Sequence, residues 1–391
     1  MKEKFFIKAS SIISSLGDSM ESVWQAMEKG ESGIRPLRRL SLKKEIPSIG
    51  GELPEELEKR IEPYFENPYS RAYGMGRFLM EKVIEDAKKK DAYNPKETGL
   101  VLSSTKAELD ELEAMWQDPD FSKNRNVYPN RWNPYILARD LARAGQIQGP
   151  VLAVSAACAS GIAAIVQAIF LLQRKMVKEV IVLGLDILAS FIYEGFHSLS
   201  ALSPFPCRPY DKSRQGLTLG EGGAALLLSQ KISESSLPYL WGMAITNDST
   251  HITAPSKEGK GLILALQRLL EESQKSWKEI GYINGHGTGT IYNDAMEAVA
   301  IQKVFPSSPW VSSLKGFFGH TLGAAGVLET LLCSEILRRK RIPPSMGFQE
   351  MGVSGNLKIP KDWIEWDGKN LITIKAGFGG VNGVLGMAYE G

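Results

Sequence analysis

The feature that most constrains this chain is a pattern that occurs twice. "VLAVSAACASGIAAIVQAIFLLQRK", starting at Val151, and "WVSSLKGFFGHTLGAAGVLETLLCSEILRRK", starting at Trp310, each pass from a strand-like run through a small-residue turn into an apolar helix ending in basic residues. The turn carries Cys158 in one copy and His320 in the other. Two such units suggest internal duplication, with 391 residues arranged as two closely packed halves. Polar turn formers cluster in "KISESSL", so the expected division is 1–235 for the half with the cysteine and 236–391 for the half with the histidines.

Around these units, short β-rich apolar runs alternate with amphipathic stretches, the pattern of an α/β layered fold. Strands are expected at 99–104, 151–156, 179–186, 224–229, 241–247, 371–378 and 383–390, and helices at 71–88, 161–173, 261–273 and 323–338. Continuous apolar runs of this kind belong to strands covered on both faces. Residues 106–143 are more polar and read as a cap on the first half.

With 46 basic and 44 acidic residues the chain has no global field to draw it to nucleic acid or to an anionic membrane. No membrane span is expected, since the longest apolar run, 161–172, is short and broken by Gln167. Lys8 likewise interrupts the N-terminal apolar run, so no secretory signal is read there. Cys158, Cys207 and Cys333 form no CxxC pair, which argues against a disulfide framework or a thiolate zinc site and for a reducing, cytoplasmic setting.

Cys158 is expected at the N-terminus of a helix starting near residue 159, where the helix dipole and free N–H groups lower a thiol's pKa and favour a nucleophilic thiolate. A lone cysteine among apolar residues is more commonly a buried structural one. In "YINGHGTGTIYNDAMEA", glycines flank His286, Thr288 and Thr290 offer hydroxyls, and Asp294 with Glu297 has the spacing of a capping box. "SSLKGFFGHTLGAAGVLE" supplies Lys315, His320 and Glu329; a histidine at a helix start should be neutral and able to donate a hydrogen bond, while Lys315 and Glu329 are surface residues unless both lie in a cleft. "GFGGVNG" forms a backbone-exposed turn around Phe378 but has no Walker lysine. The spacing of the two histidines and the cysteine does not suggest a metal, and no cofactor is expected.

Taken in order, "GPVLAVSAACASG", "ALSPFPCRPYDKSRQGLTLGEGGAALLL", "NDSTHITAP", "NGHGTGTIYNDAMEA", "KGFFGHTLGAAG" and "GFGGVNG" resemble the elongating β-ketoacyl-[acyl-carrier-protein] synthases of the thiolase superfamily. The resemblance spans almost the whole chain. It implies a thiolase-like duplicated five-layered α-β-α-β-α fold and a catalytic set of Cys158, His286 and His320, supported by Lys315 and Glu329. It further implies substrate-binding roles for Phe196, Thr253, Thr288, Thr290 and Phe378, and an oxyanion hole from the N–H groups of Cys158 and Phe378. The reaction implied is decarboxylative condensation of an acyl group on Cys158 with malonyl-acyl-carrier protein, in fatty-acid or polyketide elongation. Acyl- and malonyl-loaded carrier protein would be the partners, with a homodimer or a heterodimer with a related subunit. A chain-length-factor-like partner subunit is the alternative, although such relatives lose the nucleophilic cysteine that this chain keeps. A Cys-His hydrolase would have no use for a second enolate-binding histidine.

Overall fold

A computed structural model describes residues 3–66, 70–90, 92–120, 130–231 and 237–391. Ten strands form its principal sheet: β1 (Phe5–Ser14), β2 (Thr98–Ser103), β3 (Val151–Val154), β4 (Glu179–Asp186), β5 (Gly222–Ser229), β6 (Tyr239–Asn247), β7 (Tyr282–Asn284), β8 (Trp310–Ser312), β9 (Asn370–Gly377) and β10 (Val381–Ala388). They lie in the order β8-β7-β9-β10-β6-β1-β5-β4-β2-β3.

Divided between β6 and β1, the sheet shows the duplication directly. Each half reads, from its outer edge inwards, third, second, fourth, fifth and first strand. The directions repeat as well: β2 pairs in parallel with β3 and β4, as β7 does with β8 and β9, and the remaining neighbours within each half are antiparallel. Within the sheet the two halves pair at Phe5 with Leu240 and Phe6 with Tyr239. The proposed division between residues 235 and 236 lies outside the described residues.

Three packed clusters build the layers. The helices Ser160–Gln173 and Ala325–Arg339 share one core, in which Ile165, Ile169, Leu328 and Leu332 meet Val182 and Leu226 from one half-sheet and Leu371 and Leu385 from the other. Both helices are buried nearly all round because sheets cover them on both sides. They cross at glycines, since a Cβ on Gly161 would stand 2.5 Å from Gly326 Cα. On the outer faces, helices Arg71–Lys89 and Pro134–Ala144 cover the first half-sheet through Leu79, Val83 and Leu141, and helices Lys260–Ser273 and Ile291–Val304 cover the second through Leu262, Leu266 and Ile301. The result is the five-layered α-β-α-β-α arrangement.

The expected strands and helices fall within a few residues of those observed. The helix expected at 323–338 opens with a 3-10 turn, Leu322–Ala324, before Ala325–Arg339. Among the described residues no helix is long and apolar enough to cross a membrane. The two sheet edges differ: β8 is covered by a hydrogen bond from Val311 N–H to the Lys358 carbonyl, while β3, the opposite edge, is only half-buried.

Candidate active site

The two turn segments of the duplicated pattern meet in space. After β3 the chain turns sharply, with Ala157 in the left-handed region at φ 48°. Ser160 Oγ accepts from Ala156 N–H at 2.7 Å and donates to the Ala157 carbonyl, so the turn is closed from inside. Cys158 therefore stands just before the helix that begins at Ser160. The end of β9 abuts this turn: a Cβ on Gly377 would sit 3.2 Å from the amide nitrogens of both Cys158 and Ala159, so only glycine leaves the approach free of crowding.

His320 reaches the same point from the second copy. Its Nδ1 accepts the Leu322 N–H at 3.2 Å, which assigns the proton of the neutral ring to Nε2. That Nε2 lies 3.0 Å from Cys158 Sγ. The His286 ring stands edge-on to His320, their centroids 5.3 Å apart. Nitrogen and sulfur atoms of the three residues all lie within 4.8 Å of one another, close enough to raise the question of a metal. A metal at His320 Nε2 needs that nitrogen's lone pair, whereas the Leu322 contact makes Nε2 the proton carrier. The trio reads as one thiol faced by two imidazoles.

Burial, followed by the field of Lys315, holds both histidines well below the ordinary imidazole pKa, so they are neutral near pH 7. Lys315 and Glu329 are not surface residues: both are fully buried and paired at 2.8 Å. Glu329 has a second partner, Lys375, at 3.0 Å. Burial alone would raise the Glu329 carboxyl, but the two ammonium groups outweigh it and hold it below the usual range. The expected low thiol pKa does not hold. Burial pushes Cys158 up to about 11 against the opposing pull of Lys315 and Lys106, so in the free site the group is a thiol. Dehydrating a thiolate outweighs the pull of the two ammonium groups here.

The capping box expected at Asp294 and Glu297 is also overturned. The helix begins at Ile291 with Thr290 before it, so both acids lie inside it, fully buried, and face the preceding loop. Asp294 accepts N–H bonds from Thr288, Gly289 and Tyr210. Glu297 accepts from His286 N–H at 2.6 Å, Gly287 N–H at 2.8 Å and Tyr210 O–H at 2.9 Å. Two buried carboxylates thus replace the missing backbone partners of a glycine-rich loop and aim His286. Sequence reasoning missed Tyr210 and Lys375 altogether; Lys375, a charge inside the apolar strand "LITIKAG", was the available signal.

A cavity of about 300 Å³ opens onto the thiol. Cys158, Phe196, Thr253, His286, Thr288, Thr290, His320 and Phe378 all line it; Lys315 and Glu329 do not. Phe196 and Phe378 stack with centroids 5.6 Å apart. The hydroxyls of Thr288 and Thr290 lie 2.9 Å from each other. The structure therefore brings eight of the ten expected residues to one cavity and places the other two together in the buried ion cluster.

Comparison with known proteins follows this geometry. The family described as "Beta-ketoacyl synthase, N-terminal domain" matches residues 2–232, and "Beta-ketoacyl synthase, C-terminal domain" matches 239–349. Nodulation protein E of Rhizobium leguminosarum bv. trifolii is 27% identical over 389 residues, covering 95% of this chain and 95% of that protein. A 3-oxoacyl-[acyl-carrier-protein] synthase 2 of Synechocystis is 27% identical, covering 98% of this chain and 97% of its own. Among solved structures, the ishigamide ketosynthase/chain length factor superposes with a TM-score of 0.90 at 23% identity over the whole of both chains. A ketosynthase in complex with its chain length factor from Xenorhabdus doucetiae gives 0.81 at 26% identity, covering 99% of this chain and 98% of that one.

Proposed function

Since the chain belongs to the beta-ketoacyl synthase family, we propose that it catalyses decarboxylative condensation of an acyl group carried on Cys158 with a malonyl thioester on acyl-carrier protein. The observation that carries this reading is the Nε2-protonated, neutral His320 placed 3.0 Å from Cys158 Sγ with His286 beside it. A neutral Nε2–H aimed at the thiol, with a second neutral imidazole beside it, suits an enolate oxygen.

The steps follow from the groups present. Cys158 sulfur attacks the acyl thioester, the carrier's thiol leaves with a proton, and the transient oxyanion meets the N–H groups of Cys158 and Phe378. The thiol's high pKa makes this first step dependent on forming the thiolate at the moment of attack. A malonyl thioester then enters past Phe196 and Phe378, its pantetheine arm within reach of Thr253, Thr288 and Thr290. The C–CO₂ bond breaks, CO₂ departs, and the electron pair moves to an enolate whose oxygen is held by His286 and His320. The α-carbon attacks the acyl carbonyl, a C–C bond forms, and Cys158 leaves as thiolate. The product is a β-ketoacyl thioester two carbons longer.

Intact-mass analysis after incubation with acyl-carrier thioester, together with CO₂ release from malonyl carrier protein, tests the reading. Acylation at Cys158 with both CO₂ and condensed product supports it; acyl hydrolysis alone, or no acylation, contradicts it. The open edge of β3 supports a dimer formed there, with a second copy or with a related subunit. Light scattering showing a monomer at micromolar concentration, both alone and with such a subunit, would contradict that pairing.

A further inference from the structure

A lysine inside a buried strand destabilises the fold unless it is fully partnered. Lys375, on β9, is wholly buried. Its Nζ lies 3.0 Å from Glu329 Oε2, 2.9 Å from Asn284 Oδ1, 2.8 Å from Thr373 Oγ1 and 2.8 Å from the Ile374 carbonyl. Thr373 Oγ1 in turn donates to Asn284 Oδ1 at 2.7 Å. An ammonium has three N–H donors for these acceptors, whereas a neutral amine would turn its lone pair toward one of them. Burial holds the pKa of Lys375 below its usual value against the opposing pull of Glu329, while the four acceptors around Nζ call for the charged form.

The contacts join the arms that carry the reacting groups. Asn284 ends β7 and leads directly to Gly285 and His286. Lys315 opens the short helix Lys315–Phe318 that leads to His320. Lys375 itself precedes Gly377 and Phe378 at the end of β9. Glu329, on the central helix, is shared by both lysines. One carboxylate with two ammonium groups, all three fully buried, leaves a single positive charge in excess.

We propose that Lys375 is a positioning residue for the condensation: by holding Asn284 and sharing Glu329 with Lys315, it keeps the His286 and Phe378 arms in register and leaves one uncompensated positive charge that favours the enolate. The inference rests on the condensation reading above. Lys375 touches neither the thiol nor the cavity and acts through the histidines and the strand end.

The test uses the full chain and three variants: Lys375→Met, Glu329→Gln and the double variant. CO₂ release from malonyl carrier protein is followed against pH, and the imidazole ¹⁵N shifts of His286 and His320 are titrated in parallel. Around these rings the charged or titratable groups are Lys315, Glu329, Lys375, Lys106 and Cys158, with Glu297, Tyr210 and Asp294 behind the His286 loop and Asp186 behind the His320 turn, all unchanged in the three variants except Lys375 and Glu329. Lys375→Met removes a cation, so histidine protonation and the acid limb of the profile should move to higher pH, with kcat near pH 7 falling about 10- to 100-fold while KM for malonyl carrier protein changes little. The double variant restores the single excess charge and should return the limb toward that of the unsubstituted protein. Glu329→Gln alone should move it to lower pH, which keeps the test available should Lys375→Met fail to fold. A folded Lys375→Met protein with unchanged limb and kcat, or a limb indifferent to Glu329→Gln, would overturn the proposal. Absence of CO₂ release from the unsubstituted protein would count against the condensation reading instead, and the ¹⁵N titration would still decide the role of Lys375.

Discussion

Replacing Glu297 with Gln should unseat His286 although the side chains are nearly the same size. The carboxylate is fully buried and takes three donors: His286 N–H at 2.6 Å, Gly287 N–H at 2.8 Å and Tyr210 O–H at 2.9 Å. A Gln offers one oxygen. If that oxygen faces His286, the new NH₂ meets the Gly287 N–H, donor against donor, while Tyr210 can rotate to accept. One buried N–H then loses its partner and the surviving bond loses its charge, for a combined cost of about 2–4 kcal/mol. Urea unfolding measures this as a lower midpoint with unchanged slope. Decarboxylation of malonyl carrier protein should fall more than Cys158 acylation, because the loop that moves carries His286. A variant within about 0.5 kcal/mol of the parent stability and fully active would refute the anchoring role and return Glu297 to an ordinary helical acid.

Iodoacetamide should label Cys158 before Cys207 and Cys333, since it alone of the three lines the cavity; with a thiol near 11, its rate should keep rising past pH 9, and a plateau near neutrality would contradict the burial argument. His286 and His320 should each contribute a rise of stability with pH between about 5 and 7, opposed in the same window by Glu108 and Asp110, whose carboxyls burial pushes up to about 9 and about 7. The folded-state pKa values of His286 and His320 are depressed, so at these two positions the unfolded chain binds more protons in that window, each histidine contributing a slope of at most about 1.4 kcal/mol per pH unit. Substituting both by Asn should lower the slope of stability against pH in that window relative to the unsubstituted protein, and an unchanged slope would contradict the depressed histidine values. Lys106, buried with an amine that has no hydrogen-bond partner among the described residues, should be replaceable by Met at no cost or with a gain of about 1 kcal/mol; a loss above about 2 kcal/mol in a thermal melt would show an interaction unaccounted for.

The layered fold was legible because burial on both faces writes itself into a strand as a continuous apolar run, as in "EVIVLGLD" and "AALLLS". The duplication was legible in two turns, and its meaning emerged when the sheet showed the same strand order in each half. Short strands such as β7, with three residues, carry too little pattern to stand out from the loop they begin. Cys158, His286 and His320 were found because small residues crowd around each. The neutral state of His320 was legible too, while the state of Cys158 was not. Whether a helix terminus or dehydration governs Cys158 depends on how much protein covers the thiol, and no local pattern contains that. Asp294 and Glu297 were misread for a related reason: the spacing of a capping box is equally the spacing of two acids on the inner face of a helix that starts earlier. Lys315 and Glu329 lie fourteen residues apart in the chain and pair only because the central helix brings them together.

The division of labour between the thiol and the histidines is tested most directly by Cys158→Gln, assayed for CO₂ release and condensed product from the same malonyl carrier protein. The Gln amide has about the size of an acyl thioester and can place its oxygen against the N–H groups of residues 158 and 378, leaving His286 and His320 to receive the enolate. The account predicts that CO₂ release persists or increases while condensed product disappears. Loss of both activities in a protein that still melts like its parent would contradict it.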